Sequence, residues 1–380
     1  MKSLLVNSIC LILLFPSLRA QDFDTPLINP FSLTEEGARS SPFLIDIDND
    51  GDLDLFAGYF SGDFGYYENI GTVNAPIYAA VDFNPFNLTA LSGSSAPLLA
   101  DLDNDGDFDM MAGGSSGLSY FENQGSPNVP NFGPETANPF GLIGPSGNNK
   151  PDLVDIDNDD DLDLFVGTSD GNTYYFENTG TVDNPAFAAS QTNPFGLSDV
   201  GNRSAPTFVD LDVDGDLDAM IGNQSGQFSY FENIGNANAP NFSFVSENPF
   251  NLSSVGQDAK PNFADLDDDG DADLLSGNAN GEYYYYENIT PLNIENHNRQ
   301  SSVIYPNPFS EFAYIKLAGL MGTDFELQVT DVSGRRISTR PVSLEDGLIV
   351  FYREGLGNGL YLVFLVNDIS RQFLGKILIK

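Results

Sequence analysis

Five nine-residue runs of alternating aspartate begin at Asp46, Asp101, Asp155, Asp210 and Asp265, at intervals of 55, 54, 55 and 55 residues. Spacing that regular marks one structural unit copied in tandem and confines the chain to repeat architectures. The runs read DIDNDGDLD (46–54), DLDNDGDFD (101–109), DIDNDDDLD (155–163), DLDVDGDLD (210–218) and DLDDDGDAD (265–273). Carboxylates occupy positions 1, 3, 5, 7 and 9 of each run. They are Asp46, Asp48, Asp50, Asp52 and Asp54 in the first, and Asp101, Asp103, Asp105, Asp107 and Asp109 in the second. The third has Asp155, Asp157, Asp159, Asp161 and Asp163, the fourth Asp210, Asp212, Asp214, Asp216 and Asp218, and the fifth Asp265, Asp267, Asp269, Asp271 and Asp273. On a strand all five would share one face and repel one another, so the alternation favours a loop curled around a cation. Ca²⁺ suits such a loop, because it takes about six to eight oxygens. Position 6 is glycine in four copies (Gly51, Gly106, Gly215, Gly270), as a sharp turn requires. The third copy has Asp160 there, and a weaker rather than an absent site is expected. No copy has a glutamate at position 12. Apolar residues such as Phe56, Met111, Phe165, Met220 and Leu275 follow the runs, so the flanks are expected to be strands rather than helices.

Residues 1–20 read as a secretory signal: Lys2, an apolar stretch from Ile9 to Phe15, and Ala20 before Gln21 as the cleavage point. The single cysteine, Cys10, lies in that segment, in a context that does not suit lipidation. Beyond it the chain has no thiol for a disulfide, a zinc site or a nucleophile. No other segment approaches the ~20 apolar residues of a membrane span. Residues 21–290 carry 46 acidic and four basic side chains (Arg39, Lys150, Arg203, Lys260), a net charge of −42, whereas residues 291–380 carry nine of each. Such a field excludes nucleic acid and anionic membranes as partners.

Each unit has strand signals around its aspartates. SPFLI (41–45), APLLA (96–100) and APTFV (205–209) lead into the runs, and LDLFAG (53–58), FDMMAG (108–113) and LDLFVG (162–167) follow them. Next come a turn and an aromatic strand ending in YYENIG (66–71), YFENQG (120–125), YFENTG (175–180), YFENIG (230–235) or YYENIT (285–290). A fourth segment carrying NPF closes the unit, as in APIYAAVDFNPFNL (75–88). Four short strands per repeat describe a propeller blade. The fifth unit stops before its NPF segment, while DFDTPLINPFSL (22–33) has one with no strands before it. The expected fold is therefore all-β: a five-bladed propeller over 21–290 closed by its N-terminal strand, preferred to a linear array that would expose both edges. Residues 291–302 read as a polar linker, and 303–380, rich in short strand signals with a turn at Ser333-Gly334, as a small β-sandwich.

The repeated unit resembles the FG-GAP/VCBS calcium-binding propeller repeats, on the strength of DxDxDGDxD, the apolar strand ending in glycine and YFENxG. The resemblance implies up to five structural Ca²⁺ ions, each in a loop between the first two strands of a blade. It implies side-chain ligands at Asp46, Asp48, Asp50 and Asp54 and their equivalents, with Asp52 and its equivalents serving through the backbone. Residues 303–380 are similar to the type A C-terminal sorting domain of the type IX secretion system, through YPNPF (305–309), TDVSGRRI (330–337), NGLYLVFL (358–365) and KILIK (376–380). That resemblance implies export by the type IX machinery and either release or attachment at the outer cell surface.

Little in the sequence favours catalysis. The one histidine, His297, falls in the linker, so no serine triad or histidine metal site is available in the repeats. Glu68, Glu122, Glu177, Glu232 and Glu287 recur at one point in every unit, which suits a turn rather than a catalyst. The departures from the repeat are Asp160, the loop 142–149, and Lys150 and Lys260 in place of a small residue before proline. The lysines are expected to pair with loop aspartates, or to reach a ligand. The reading is a secreted or surface-displayed, non-enzymatic calcium-binding protein that binds a protein or glycan ligand, as in adhesion. The alternative is a secreted hydrolase or lyase using a carboxylate pair on the ring face against polysaccharide.

Overall fold

The computed structural model describes residues 21–290 except 146 and 160, together with 303–305, 310–316, 322–330, 336–344, 348–353, 356, 359–366 and 371–380. The expected signal segment (residues 1–20, with Cys10), the expected linker (291–302, with His297), Asp160 and the expected turn at Ser333-Gly334 lie outside the described residues. The chain divides into two compact units, Met1–Thr290 and Pro291–Lys380.

The first unit is built from four-stranded antiparallel sheets. The first comprises β2 (Ser41–Ile45), β3 (Asp54–Gly58), β4 (Phe64–Tyr67) and β5 (Asp82–Phe83), following the short β1 (Leu27–Ile28) in the chain. The second comprises β6 (Ser95–Ala100), β7 (Asp109–Gly114), β8 (Gly117–Phe121) and β9 (Thr136–Ala137). The third comprises β10 (Lys150–Val154), β11 (Asp163–Gly167), β12 (Thr173–Phe176) and β13 (Gln191–Thr192). The fourth comprises β14 (Ala205–Val209), β15 (Asp218–Gly222), β16 (Phe228–Asn233) and β17 (Phe242–Glu247). In the fifth, β18 (Lys260–Ala264), β19 (Asp273–Gly277) and β20 (Tyr283–Tyr286) are completed by β1, with Leu27 opposite Tyr285 and Ile28 opposite Tyr284. The fold class expected from the repeats is the one observed, and the N-terminal strand stands where the phase of the repeats put it.

Packing between blades runs in a cycle. The first strands β2, β6, β10, β14 and β18 are neighbours in that order, and β18 returns to β2. A glycine at or next to the end of each second strand shows how tight the approach is. A Cβ on Gly58 would stand 2.3 Å from the Ser95 carbonyl oxygen of the next blade. Gly113, Gly167, Gly222 and Gly277 would meet the carbonyls of Asn149, Ser204, Ala259 and Ser40 at 2.1, 2.3, 2.2 and 2.1 Å. No side chain fits in that gap, so the sequence repeats glycine there. The apolar cores lie between successive blades. Phe56, Met110 and Phe121 join the first to the second, and Leu55, Leu275 and Tyr283 join the fifth back to the first.

The NPF segments explain how each fourth strand is attached. The asparagine takes a left-handed conformation (φ 47–52° at Asn29, Asn84, Asn138, Asn193 and Asn248). At Asn84 its side-chain oxygen accepts the Phe64 N–H at 3.0 Å while its own N–H donates to the Phe64 carbonyl at 2.7 Å. This pair of bonds stands in for further ladder rungs, so a strand of two residues suffices. Asn29 does the same for Tyr283 at the seam, with bonds of 2.9 and 2.7 Å.

The second unit has a three-stranded sheet of β21 (Val303–Tyr305), β22 (Phe312–Lys316) and β25 (Leu348–Tyr352). Its four-stranded sheet runs β24 (Arg336–Leu344), β23 (Gly322–Thr330), β26 (Gly359–Val366) and β27 (Arg371–Ile379). Ala313, Ile315 and Phe351 of one sheet share a core with Leu327, Val329, Val363 and Ile377 of the other, which makes a sandwich.

Candidate metal loops

Each aspartate run forms the loop between the first and second strands of a blade. Position 1 organises it: Asp46 accepts the N–H groups of Asp50 at 3.1 Å and Gly51 at 3.0 Å. Asp101, Asp210 and Asp265 make the same pair of bonds, and Asp155 accepts the N–H of Asp159 at 3.1 Å. Gly51, Gly106, Gly215 and Gly270 have φ of 98–100°, which a side chain would strain even though the space around them is open. The turn brings positions 1, 3 and 5 together. In every copy one carboxylate oxygen from each lies within 4.8 Å of the others, in the sets Asp46/48/50, Asp101/103/105, Asp155/157/159, Asp210/212/214 and Asp265/267/269.

Positions 7 and 9 are placed differently. A buried oxygen without a hydrogen-bond partner occurs at position 7 in Asp52, Asp107, Asp216 and Asp271, and at position 3 in Asp48, Asp157 and Asp267. Such orphaned acceptors are costly unless something with positive charge meets them. Position 9 accepts two hydrogen bonds in every copy, and Asp109, Asp218 and Asp273 take a third from the N–H of Leu102, Leu211 and Leu266. Asp54 takes the Tyr66 hydroxyl at 2.9 Å and the Asn69 N–H at 2.7 Å, and Asp109, Asp163, Asp218 and Asp273 are held alike by Tyr120/Asn123, Tyr175/Asn178, Tyr230/Asn233 and Tyr285/Asn288. Each tyrosine ring packs edge-on against an NPF phenylalanine at 4.9–5.0 Å, from Tyr66–Phe86 to Tyr285–Phe31. Position 9 thus ties the loop to the third and fourth strands. A carboxylate keeps lone-pair capacity after two or three such bonds, so this role leaves room for a cation.

The electrostatics show the strain of the acidic cluster. Burial, followed by the charge of Asp50, raises the Asp48 and Asp52 carboxyls. Burial, followed by the charge of Asp269, pushes Asp271 up to about 7, and burial followed by the charge of Asp214 pushes Asp216 to about 6. At position 9 burial outweighs the hydrogen bonds and lifts Asp54, Asp163 and Asp218 to about 7.

Glu68, Glu122 and Glu177 point outward, and it is their carbonyls that accept turn N–H groups at 2.7–2.8 Å. Among the described residues, neither Lys150 nor Lys260 pairs with a loop aspartate. Lys260 Nζ donates to the Arg39 carbonyl at 2.7 Å, and among the described residues of this unit the ion pairs are those of Arg39 and Arg203 with Asp258. That expectation is corrected by position: both lysines open inner strands, whereas the aspartate loops follow the other end of those strands.

Five such sheets in a cycle, with an acidic loop at one point in each, define a β-propeller repeat protein. Residues 101–166 and 210–276 match the model of the FG-GAP-like repeat, and residues 303–380 that of the secretion system C-terminal sorting domain. The chain therefore carries FG-GAP-like repeats and a type IX sorting domain, and it is exported to the cell surface or beyond it. No curated protein matches the chain. Among solved structures, it is similar to a lectin from Agrocybe aegerita that recognises non-reducing terminal N-acetylglucosamine (17% identity, 90% of this chain and 80% of that one, TM-score 0.35). It is also similar to Sqt1 of Saccharomyces cerevisiae (12%, 95% and 89%, TM-score 0.31). A third is the Cps50 (Swd1) β-propeller domain of "Myceliophteria_thermophila" (9%, 93% and 99%, TM-score 0.29). Likenesses this distant assign no ligand. Among the described residues no helix is long and apolar enough to cross a membrane.

Proposed function

We propose that this secreted or surface-displayed propeller binds Ca²⁺ in its aspartate loops as structural clips, and that the clipped ring serves ligand binding, as in adhesion, without catalytic turnover. The observation that carries the calcium reading is the set of buried, unpartnered carboxylate oxygens at positions 3 and 7, beside three carboxylates gathered within 4.8 Å. Oxygen donors alone, in this number, fit a hard cation such as Ca²⁺. The side chains of positions 1, 3, 5 and 7 would hold it, and position 9 would anchor the loop. The absence of catalysis is supported by repetition, since the buried acidic groups of the loops recur copy by copy.

With dissociation constants of ~0.1 mM in ~2 mM Ca²⁺, each occupied loop adds about 1.8 kcal/mol. Removing calcium with a chelator should therefore lower the melting temperature by many degrees, and restoring calcium, but not potassium, should return it. An unchanged melting temperature after verified removal of bound metal would sink the assignment. A screen for glycan, ester and peptide hydrolysis tests the rest, and turnover abolished by one carboxylate substitution would overturn the non-catalytic reading.

A further inference from the structure

The four basic residues set against 46 acidic ones in residues 21–290 converge: Arg39, Lys150, Arg203 and Lys260 all line one pocket of about 50 Å³. Its walls come from the residues just before the recurring proline of each inner strand (Pro42, Pro97, Pro151, Pro206, Pro261). The pocket is therefore shared by all five blades and sits where their first strands converge. It is also where the repeats cease to match. Three places before the proline stand Arg39, Ser94, Asn148, Arg203 and Asp258.

The charges here do not balance internally. Asp258, with its side chain 2% exposed, is held by Arg39 at 3.4 Å and by Arg203, so one carboxylate serves two guanidinium groups. Both arginines remain about a quarter exposed, at 26% and 29%. Among the described residues Lys260 has only the Arg39 carbonyl as hydrogen-bond acceptor, with the charge of Asp258 acting on it as well. Lys150 is 8% exposed and has neither a hydrogen bond nor an ion pair among the described residues. The charge of Asp152 reaches it, but that carboxylate is taken up by Thr207 and by backbone N–H groups of Leu153 and Phe208. Burial lowers both ammonium groups, and the charge of Lys150 lowers Lys260 further. An ammonium carries three donors, and at the pocket wall those of Lys150 are open to an incoming acceptor.

We propose that this pocket binds one compact oxyanion, the carboxylate or sulfate group of a soluble ligand, between Lys150, Lys260 and the two guanidinium groups. Two arginine forks and two ammonium groups supply charge-assisted donors of the right kind, and Ser94, Ser95 and Asn148 add neutral ones. The net charge of −42 on residues 21–290 repels polyanions at long range, which favours a single compact group. This inference deepens the ligand-binding reading above and rests on it; it does not depend on which cation fills the loops.

The test is equilibrium dialysis of the full chain, calcium-loaded, against radiolabelled sulfate at fixed ionic strength, with acetate and glucuronate as competitors. The expected result is saturable binding of one sulfate per chain. Lys150→Met should weaken it about tenfold or more, the worth of a charge-assisted hydrogen bond. The calcium-dependent rise in melting temperature should persist in that variant, which shows that it folds. Lys260→Met provides the second variant and should weaken binding likewise. Competition by glucuronate better than acetate marks the end group of a sugar acid as the natural occupant, and equal competition marks a free anion. Absence of saturable sulfate binding and of competition in folded, calcium-stabilised protein would overturn the anion site while leaving the calcium-clipped ring in place. Equal binding by wild type and both lysine variants would overturn it too, and would mark the cluster as an internal charge network.

Discussion

Val213 is the residue whose side chain disagrees most with its backbone. Position 4 of the loops is left-handed in every copy, with φ of 57–59° at Asn49, Asn104, Asn158, Val213 and Asp268. Asparagine and aspartate tolerate that conformation, whereas a β-branched residue is strained by it. Val213 is 61% exposed and has little packing to lose. Val213→Asn should therefore stabilise the protein by about 1 kcal/mol, read as a rise in melting temperature. Tyr175→Phe should act in the opposite direction. It keeps the ring against Phe195 but leaves Asp163, 2% exposed, without its 2.9 Å hydroxyl bond, at a cost of about 1–3 kcal/mol in chemical denaturation. This distinction between position 9 and the other aspartates was hard to read in the sequence, because alternation makes all five alike. The signal lay downstream, in the tyrosine and asparagine that recur 11–12 and 14–15 residues after each position-9 aspartate. Those residues read as an aromatic strand ending, and nothing local says that their polar atoms reach back.

At the scale of the loop, the raised carboxyls predict a pH dependence. Asp54, Asp163, Asp218 and Asp271 are lifted to about 7 in the folded, metal-free chain, above the ~3.9 of an unfolded aspartate. The folded state then binds more protons than the unfolded one between about pH 4 and 7, so stability falls as pH rises through that window. Chelated protein should melt at a higher temperature at pH 5.5 than at pH 7.5, and the stabilisation gained on adding calcium should shrink on acidification as protons compete. A chelated protein that melts lower at pH 5.5 would contradict this. Among the strands, the first three of each blade were legible because apolar runs bounded by proline and glycine repeat in phase; β2 and β14 fall on SPFLI and APTFV as read. The fourth was legible only as a segment. Within 75–88 just Asp82–Phe83 is strand, because the left-handed asparagine of NPF takes over the edge pairing. In the fourth blade, where β17 runs six residues, a register shift at Tyr230/Phe231 marks the longer pairing.

For the whole molecule, the seam and the contacts between blades decide whether the ring stays shut. Removing residues 21–33 deletes β1, the Phe31–Tyr285 contact at 4.9 Å and the Asn29–Tyr283 bonds. The exposed edge of β20 should then lower the melting temperature and promote self-association, measured by light scattering. Gly167→Ala should be at least as harmful, since its methyl would stand 2.3 Å from the rigid Ser204 carbonyl, and any accommodation must widen one gap of a closed circuit. Closure was visible in the sequence as a difference of phase between repeat and sheet, whereas the pocket was not. Its four basic residues are separated by 164, 53 and 57 residues in the orders Arg39–Arg203, Lys150–Arg203 and Arg203–Lys260, and only the ring brings them together. The seam has one further consequence, for inheritance. Because the closing strand belongs to the ends of the propeller stretch, a gene can gain or lose a whole 55-residue copy anywhere between them and still encode a chain whose first strand finds the last sheet. Duplication in such a lineage changes the circumference of the ring and leaves the lock untouched.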